Sequence, residues 1–283
     1  MSTLKEHQEV LFELLEEFDR VCRKHNIRYV VFAGTALGAV RHHDFIPWDD
    51  DLDVALLRED YEELMQIDDL EWQDEYYLQR EYSEHWPIHF SKLRKNHTTC
   101  LEKYHPKDNK THQGIYIDIF PIDNASDNPL IRKLQFFASK IVQAKSFWLR
   151  GYETTSTLKK AVMLLSGVLP LRLFHNMVTL RRNKDTKMVH SFLAGSIRYE
   201  KGIFERKWIT DTVNIPFNKM KVPVSSYYHD LLTMQYGDYM SLPPEEERRC
   251  KTHAILVDTE RDYVDYSHYR DNMTFGVLTK SIR

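Results

Sequence analysis

The sequence predicts an α+β fold: a mixed β-sheet core with flanking helices, followed by a mainly helical carboxyl-terminal half. Two patterns carry this prediction. Apolar residues recur at helical spacing near the amino terminus and beyond residue 129. Residues 27–33 and 114–120, in contrast, are short runs rich in β-branched and aromatic side chains, and residues 52–57 form a short, mainly apolar run. The predicted order is a helix, a strand-rich core up to Phe120 and a helical second half.

The first element is an amphipathic helix that begins near Leu4 and ends near His25, because its apolar residues recur every three or four positions between charged ones. The elements predicted after it, up to Phe120, are a strand over 27–33, a turn at Gly34-Thr35, a helical turn over 36–41, a strand over 52–57, a helix over 58–67, strands over 76–81, 88–94 and 98–102, a polar loop over 104–113, and a strand over 114–120 closed by Pro121.

The second half is predicted to be helical over residues 129–192, with breaks at Gly167 and Pro170. The later elements predicted are short strands or turns over 201–222, a helix over 223–237, a last helix starting at Pro243, and a frayed end after Tyr263. We expect one elaborated domain in three parts, namely a core over 1–128, a helical insertion over 129–195 and a carboxyl-terminal part over 196–283.

Bulk properties exclude several classes. The formal net charge of −3 gives no strong field that would attract nucleic acid. The three cysteines lie far apart, which argues against a disulfide framework and a structural zinc site. No apolar signal core follows Met1, and the longest apolar run, over 161–171, is shorter than the roughly 20 residues that span a bilayer.

Four carboxylates crowd into the six residues Trp48-Asp49-Asp50-Asp51-Leu52-Asp53. Carboxylates this close repel one another unless a cation neutralises them. Because Asp51 and Asp53 are two positions apart, a strand would point both to one face while Leu52 enters the core. The pattern predicts a site for Mg²⁺, with Mn²⁺ as a substitute, and a solvated acidic turn is the alternative.

Asp118 is the single acid in the apolar run 115–120, where an unpartnered carboxylate would be costly. If its strand neighbours the one that carries Asp53, Asp118 supplies a third carboxylate. Three such groups can bind metal and support in-line attack at phosphorus. A salt-bridged core acid is the alternative.

Residues before the acidic run are candidates for binding phosphate. Glycine allows close backbone approach and a threonine hydroxyl can hold a phosphate oxygen, so Gly34 and Thr35 fit this role. An ordinary strand-to-helix turn is the alternative. The guanidinium of Arg41 matches phosphate bidentately.

Two further groups of side chains have alternative interpretations. Lys92 and Arg94 alternate on one strand face, where they either pair with the acids or neutralise a pyrophosphate. Trp48 is either a core or lid residue or part of an aromatic cage for a quaternary ammonium group.

Taken together, these stretches resemble the LicD family, which includes bacterial phosphocholine transferases and the fukutin-type proteins. The matching stretches are GTALGAVRHHDFIPWDDDLDV over 34–54, KLRKNHT over 92–98, GIYIDIFPID over 114–123, Val222-Pro223, YGDYMSLPPEEER over 236–248 and His253. The resemblance covers most of the chain, and only loosely residues 129–192. It implies a nucleotidyltransferase-type fold whose catalytic core is the 1–128 part.

The resemblance also implies roles. Asp51 and Asp53 would be metal ligands and Asp118 the third catalytic carboxylate and metal ligand. The residues expected to bind the donor or its metal are Gly34, Thr35, Arg41, Trp48, Asp49, Asp50, Lys92, Arg94 and His253. The implied reaction moves phosphocholine from CDP-choline to a hydroxyl of a lipid-linked, teichoic-acid-type glycan precursor and releases CMP.

Other functions fit the same acids. Ribitol or glycerol phosphate can replace phosphocholine, and true nucleotidyl transfer would leave the nucleotide on the acceptor. An inactive nucleotide-binding adaptor is the non-enzymatic alternative. A polymerase-like enzyme needs a basic groove, which the net charge does not favour.

The expected location is the bacterial cytoplasm. Residues 161–180 join an apolar stretch to basic residues. That combination is typical either of an interfacial helix at the inner face of the plasma membrane or of a core helix with a basic exit.

Overall fold

The computed structural model describes residues 2–83, 86–104, 110–195, 198–250 and 254–266. Predictions for His253, for residues 105–109 of the polar loop and for the chain beyond residue 266 therefore lie outside the described residues. The helices are α1 (Leu4–Lys24), α2 (Ala33–His42), α3 (Arg58–Leu64), α4 (Pro129–Leu149), α5 (Thr157–Val168), α6 (Leu171–Val178), α7 (Lys207–Thr210) and α8 (Tyr228–Tyr236).

The strands are β1 (Val30–Val31), β2 (Asp53–Leu57), β3 (Tyr76–Gln79), β4 (Ser91–Lys95), β5 (Thr99–Glu102), β6 (Tyr116–Asn124), β7 (Met188–His190), β8 (Ile203–Glu205), β9 (Thr212–Phe217), β10 (Met220–Ser225) and β11 (Ala254–Asp258). The predicted α+β class with a mixed sheet is confirmed.

The main sheet has the order β1-β2-β6-β4-β3, with β7 paired to β6 and β8 paired to β7. β2 and β6 run parallel, whereas β1, β4 and β7 pair antiparallel with their neighbours. Separate ribbons join β9 to β10 and β5 to β11. The parallel pair β2–β6 is therefore the centre of the sheet.

α1 begins at Leu4, as the apolar spacing predicts, and a capping box between Thr3 and Glu6 closes its first turn. Its fully buried residues Leu11, Leu14 and Phe18 belong to the same core cluster as apolar residues of β2 and β6. α1 thus packs on the sheet and stabilises the strands that carry the acids.

The segment before the acidic run differs from its prediction. The strand predicted over 27–33 is only Val30–Val31, and α2 begins at Ala33, so Gly34 and Thr35 lie in its first turn and not in a turn before it. Ala33 has φ of 46°, a left-handed value that non-glycine residues seldom adopt. This conformation ends the strand abruptly.

The strand expected to close at Pro121 continues to Asn124 as part of β6. Pairing with β4 ends at Ile119, so the proline, which lacks an N–H, lies past the last β4 partner.

The second half also departs from its prediction at several points. Gly167 lies inside α5 and does not break it, Met188–His190 is a strand where helix was predicted, and β10 delays the start of the next helix to Tyr228. The predicted last helix is only a 3₁₀ turn over Glu245–Glu247, and β11 was not predicted.

No single helix within the described ranges is long and apolar enough to cross a membrane. α5 and α6 together meet that length and composition, but they are bent by 104° at the break between them.

Candidate active site

Two of the predicted carboxylates, distant in sequence, lie on adjacent strands. The register of the parallel pair β2–β6 sets Asp53 opposite Asp118. The Asp118 N–H donates to Leu52 O over 2.9 Å, which holds this register. Leu52 and Val54 are buried in the core, whereas Asp51 and Asp53 are half-buried. The predicted alternation along this stretch and the predicted proximity of Asp53 to Asp118 are confirmed.

These carboxylates raise one another's pKa values. Burial, followed by the charges of Asp49 and Asp118, raises the pKa of Asp51 to about 8. Burial, followed by the charges of Asp51 and Asp118, raises the pKa of Asp53 well above its ordinary value, although Lys92 opposes the shift. Burial is also the largest cause that raises the pKa of Asp49 to about 6. The cluster therefore holds protons near neutral pH that a bound cation would displace.

The first turn of α2 abuts this cluster. A Cβ atom at Gly34 would lie 2.9 Å from Asp49 Oδ2, so any other residue here would displace that carboxylate. Thr35 Oγ1 accepts a hydrogen bond of 2.8 Å from the Asp53 N–H, which fixes the start of β2. The unpaired N–H groups of a helix start attract anions. Phosphate binding by Gly34 and Thr35 stays a prediction that this position favours.

α1 holds the acidic loop from the other side. His7 Nε2 donates to Asp50 O over 2.9 Å, and Gln8 Nε2 donates to Asp49 O over 2.8 Å. Trp48 is half-buried and packs against the main core. The sequence did not single out His7 and Gln8, because their partners are main-chain oxygens some forty residues away.

Lys92 lies opposite Asp118 on the neighbouring strand β4. Its Nζ is 3.3 Å from Asp118 Oδ1 and 3.5 Å from Glu102 Oε1, and 2% of its side chain is exposed. The same ammonium lies 3.2 Å from the centroid of the Tyr116 ring and 5.3 Å from that of Trp86. Of its two predicted roles, the structure shows the ion pair with the acids. The rings of Tyr116 and Trp86 thus contact the ammonium group of Lys92, a cation of the protein itself.

The two arginines predicted to bind phosphate contact protein atoms instead. Arg94 is fully buried and donates to Gly114 O over 2.8 Å and to a neighbouring glutamine side chain. Arg41 donates to Tyr239 O over 2.7 Å and thereby ties α2 to the loop after α8. Donor binding by either arginine stays a prediction without a contact that favours it.

Tyr236, at the end of α8, lies in the matched stretch 236–248, and the sequence pattern assigns it no role. Burial of its hydroxyl, followed by the negative charges of Asp53, Asp49 and Asp51, raises its pKa. The residue is 46% exposed, and its hydroxyl is close enough to these acids to feel their charge.

The site fits a hard cation that shares its coordination with a substrate. Within the described part of the chain, no three His, Cys, Asp or Glu side chains converge closely enough to hold a metal ion alone. Mg²⁺ does not need such a cage, since one or two carboxylates, water and substrate phosphates usually hold it. The Lys92 ammonium is the charged partner of Asp118 Oδ1, whereas burial and the neighbouring negative charges raise the pKa values of Asp51 and Asp53. The metal itself stays a prediction.

Comparison with known families gives the geometry a context. Residues 26–164 match the family described as LicD/FKTN/FKRP, nucleotidyltransferase domain. The matched span, just under half of the chain, is similar to the LicD nucleotidyltransferase domain. The span that matches LicD contains both Asp53 and Asp118, together with strands β1 to β6.

The similarity to LicD proteins extends beyond that span. The lipopolysaccharide cholinephosphotransferase LicD of Haemophilus influenzae is 28% identical over 258 residues, which cover 87% of this chain and 95% of that protein. Uncharacterized proteins of Rickettsia prowazekii and Rickettsia typhi are 46% and 44% identical over 57 residues, or 20% of this chain and 21% and 18% of theirs.

Proposed function

We propose that this chain, an enzyme of the LicD type, transfers phosphocholine from CDP-choline to a hydroxyl group of a cell-surface glycan precursor and releases CMP. The observation that carries the proposal is the pairing of Asp53 with Asp118 beside the first turn of α2. The similarity to a lipopolysaccharide cholinephosphotransferase along most of both chains supports the choice of headgroup.

In this proposal the acceptor hydroxyl attacks the phosphorus that carries choline. A new oxygen–phosphorus bond forms, and the bond to the CMP phosphate oxygen breaks. Asp118 orients the hydroxyl and takes its proton, for which its raised pKa, caused by burial against the opposing charge of Lys92, makes it a stronger base. The amide groups of Gly34 and Thr35 hold the donor phosphates, and Tyr236 contacts substrate.

Asp51 and Asp53 would hold Mg²⁺ or Mn²⁺, with Asp49, Asp50 and Asp118 close by. When bound, the cation neutralises the donor pyrophosphate and the charge that builds on the leaving CMP. Lys92 serves the same centre indirectly, because its ion pair holds Asp118 in place.

The parts of the chain would divide the work. The core over 1–128 supplies the acids, residues 196–283 contribute Tyr236 and complete the site, and the helical insertion over 129–195 faces the membrane or the acceptor. We place the reaction on the cytoplasmic side of the membrane, where CDP-activated donors are made.

A donor panel tests the headgroup and the reaction type together. Purified protein with Mg²⁺ is given CDP-choline, CDP-ribitol or CDP-glycerol, with lipopolysaccharide-type or teichoic-acid-type acceptors, and both free CMP and the mass of the acceptor are measured. We expect CMP release with CDP-choline and a gain of phosphocholine on the acceptor.

Each alternative gives a different product. A polyol phosphate on the acceptor changes the headgroup but keeps the reaction, whereas a nucleotide on the acceptor indicates nucleotidyl transfer. Absence of donor-dependent CMP with every pair, from protein that is folded, would support the inactive adaptor and refute the proposal.

A further inference from the structure

The outward side of α5 is apolar, which is the reverse of an ordinary surface helix. Only Met163 and Ser166 of this helix are buried. The opposite side, which we term the α5 outer face, carries no charged residue and consists of Leu158, Ala161, Leu164, Leu165 and Val168. Leu158 and Val168 are 74% and 83% exposed. An apolar face of this kind marks an interaction surface.

The neighbouring helices also expose apolar residues. Their exposed residues are Leu130, Leu134, Phe137, Phe147, Trp148 and Leu149 on α4, Leu173 on α6 and Leu180 just after it. We term residues 129–187 the α4–α6 unit. No described part of the chain covers these exposed apolar side chains of the unit.

Charge is segregated onto the same unit. Residues 129–187 contain twelve Lys or Arg and only two Asp or Glu, although the whole chain has a net charge of −3. Lys159, Lys160 and Arg172 are exposed beside the apolar face. The complement of such a surface is both apolar and anionic.

The α4–α6 unit is a built structure and not a loose appendage. Lys145 Nζ on α4 donates to Gly167 O at 3.1 Å and to Leu169 O at 2.6 Å, which caps the end of α5. Gly167 allows close packing, since a Cβ there would lie 2.9 Å from Trp148 Nε1. The outer face is therefore held outward by contacts on its inner side.

Geometry favours a helix that lies on a bilayer. The twelve residues of α5 extend about 18 Å, which is shorter than the roughly 30 Å hydrocarbon core. The bend of 104° turns α6 away from the axis of α5. An interfacial position, with apolar side chains in the acyl boundary and basic ones among headgroups, is compatible with the short length of α5 and with the bend that follows it.

We propose that the α4–α6 unit docks this protein on an anionic bilayer surface through the α5 outer face and its flanking basic residues. Two copies of the unit meeting face to face would bring like positive charges together, whereas anionic lipid neutralises them. The proposal does not depend on the headgroup transferred. It does have a structural link to the site, because Arg150 after α4 pairs with Glu102, which lies 3.5 Å from Lys92.

Vesicle flotation tests the docking. The full chain is mixed with vesicles of phosphatidylcholine alone or with an equal part of phosphatidylglycerol. We expect flotation only with the anionic vesicles and weaker binding at high salt. Leu164→Glu/Leu165→Glu should lower the partition coefficient at least about tenfold. Leu70→Glu is the matched control, since Leu70 is 92% exposed and lies outside the unit.

A second pair of variants tests the charge. Lys159→Gln/Lys160→Gln should lower binding about tenfold, while Lys221→Gln, another exposed lysine, should not. Thermal unfolding and CMP release with a water-soluble acceptor are measured for every variant and should match wild type. Equal binding by the leucine variant and Leu70→Glu would overturn the proposal. The proposal would also be overturned if the wild-type protein binds no vesicles and forms a dimer in solution that Leu164→Glu/Leu165→Glu dissociates.

Discussion

The carboxylates at the two ends of the β2–β6 strand pair have pKa values that are shifted in opposite directions. Where β2 begins, Asp53 and Asp118 lie side by side and the pKa of each is raised. Where β2 ends, Arg58 donates two hydrogen bonds of 2.7 and 3.0 Å to Asp123, and both side chains are almost fully buried. Burial would raise the pKa of Asp123, but the charge and hydrogen bonds of Arg58 outweigh it and lower it.

Asp118 and Asp123 are five residues apart on one strand and in the same fold, so burial alone does not explain the difference. What differs is the supply of positive charge. Arg58 satisfies Asp123, with Glu81 also 3.4 Å from its guanidinium, whereas Lys92 must serve a cluster of several acids and Glu102 as well. The Arg58–Asp123 end is stable by itself, and the Asp53–Asp118 end becomes stable when a cation binds.

Removing Arg58 should have the largest effect on stability. Arg58→Met leaves Asp123 buried without its partner, and we expect a loss of about 3–5 kcal/mol in the free energy of unfolding, measured by urea titration. Arg58→Met/Asp123→Leu should recover much of this loss, since it removes the stranded charge.

Arg28→Met is the matched control. Arg28 pairs with Asp60 at 3.1 Å, but 67% of its side chain is exposed, so its loss should cost no more than about 1 kcal/mol. An Arg58 variant as stable as the Arg28 variant would show that the buried pair is not what stabilises this end.

The acid cluster should make the protein less stable as pH rises. The pKa of Asp51 is about 8 in the folded chain and 3.8 without burial, so between about pH 4 and pH 8 the folded state holds the extra proton. The free energy of unfolding without divalent cation should therefore fall as pH rises through this window, by up to about 1.4 kcal/mol per pH unit for each proton held.

Asp51→Asn should flatten that slope, and so should saturating Mg²⁺, which displaces the protons. Asp123 gives the opposite dependence, because its pKa is lowered in the folded chain. It stabilises the fold at every pH above the ordinary pKa of an aspartate, and this contribution is lost only in acid. An unchanged slope in Asp51→Asn would contradict the raised pKa of Asp51.

The sequence was most informative where local pattern and tertiary structure agree. The alternation of Asp51, Leu52, Asp53 and Val54 predicted which side chains enter the core. The isolated acid in an apolar strand predicted that Asp118 needs a partner, and the parallel register supplies its neighbour Asp53.

The rest depends on contacts that no local pattern encodes. The left-handed Ala33 starts α2 earlier than predicted, and nothing in its side chain announces that conformation. β11 forms only because β5 offers it an edge. The sequence pattern around Arg94 is typical of a phosphate ligand. In the structure its guanidinium instead donates to Gly114 O and lies over the ring of Tyr116. Tyr236 reaches the cluster from a helix almost two hundred residues away.

Asp53→Asn tests most directly whether the end of the strand pair with Asp53 and Asp118 is the reaction centre. CMP release with CDP-choline, Mg²⁺ and acceptor should fall at least about 10³-fold, while the free energy of unfolding without metal rises because one repelling charge is gone. Asp185→Asn, on a side chain that is 95% exposed, should change neither quantity. An Asp53→Asn protein that stays folded and releases CMP at the wild-type rate would contradict the account.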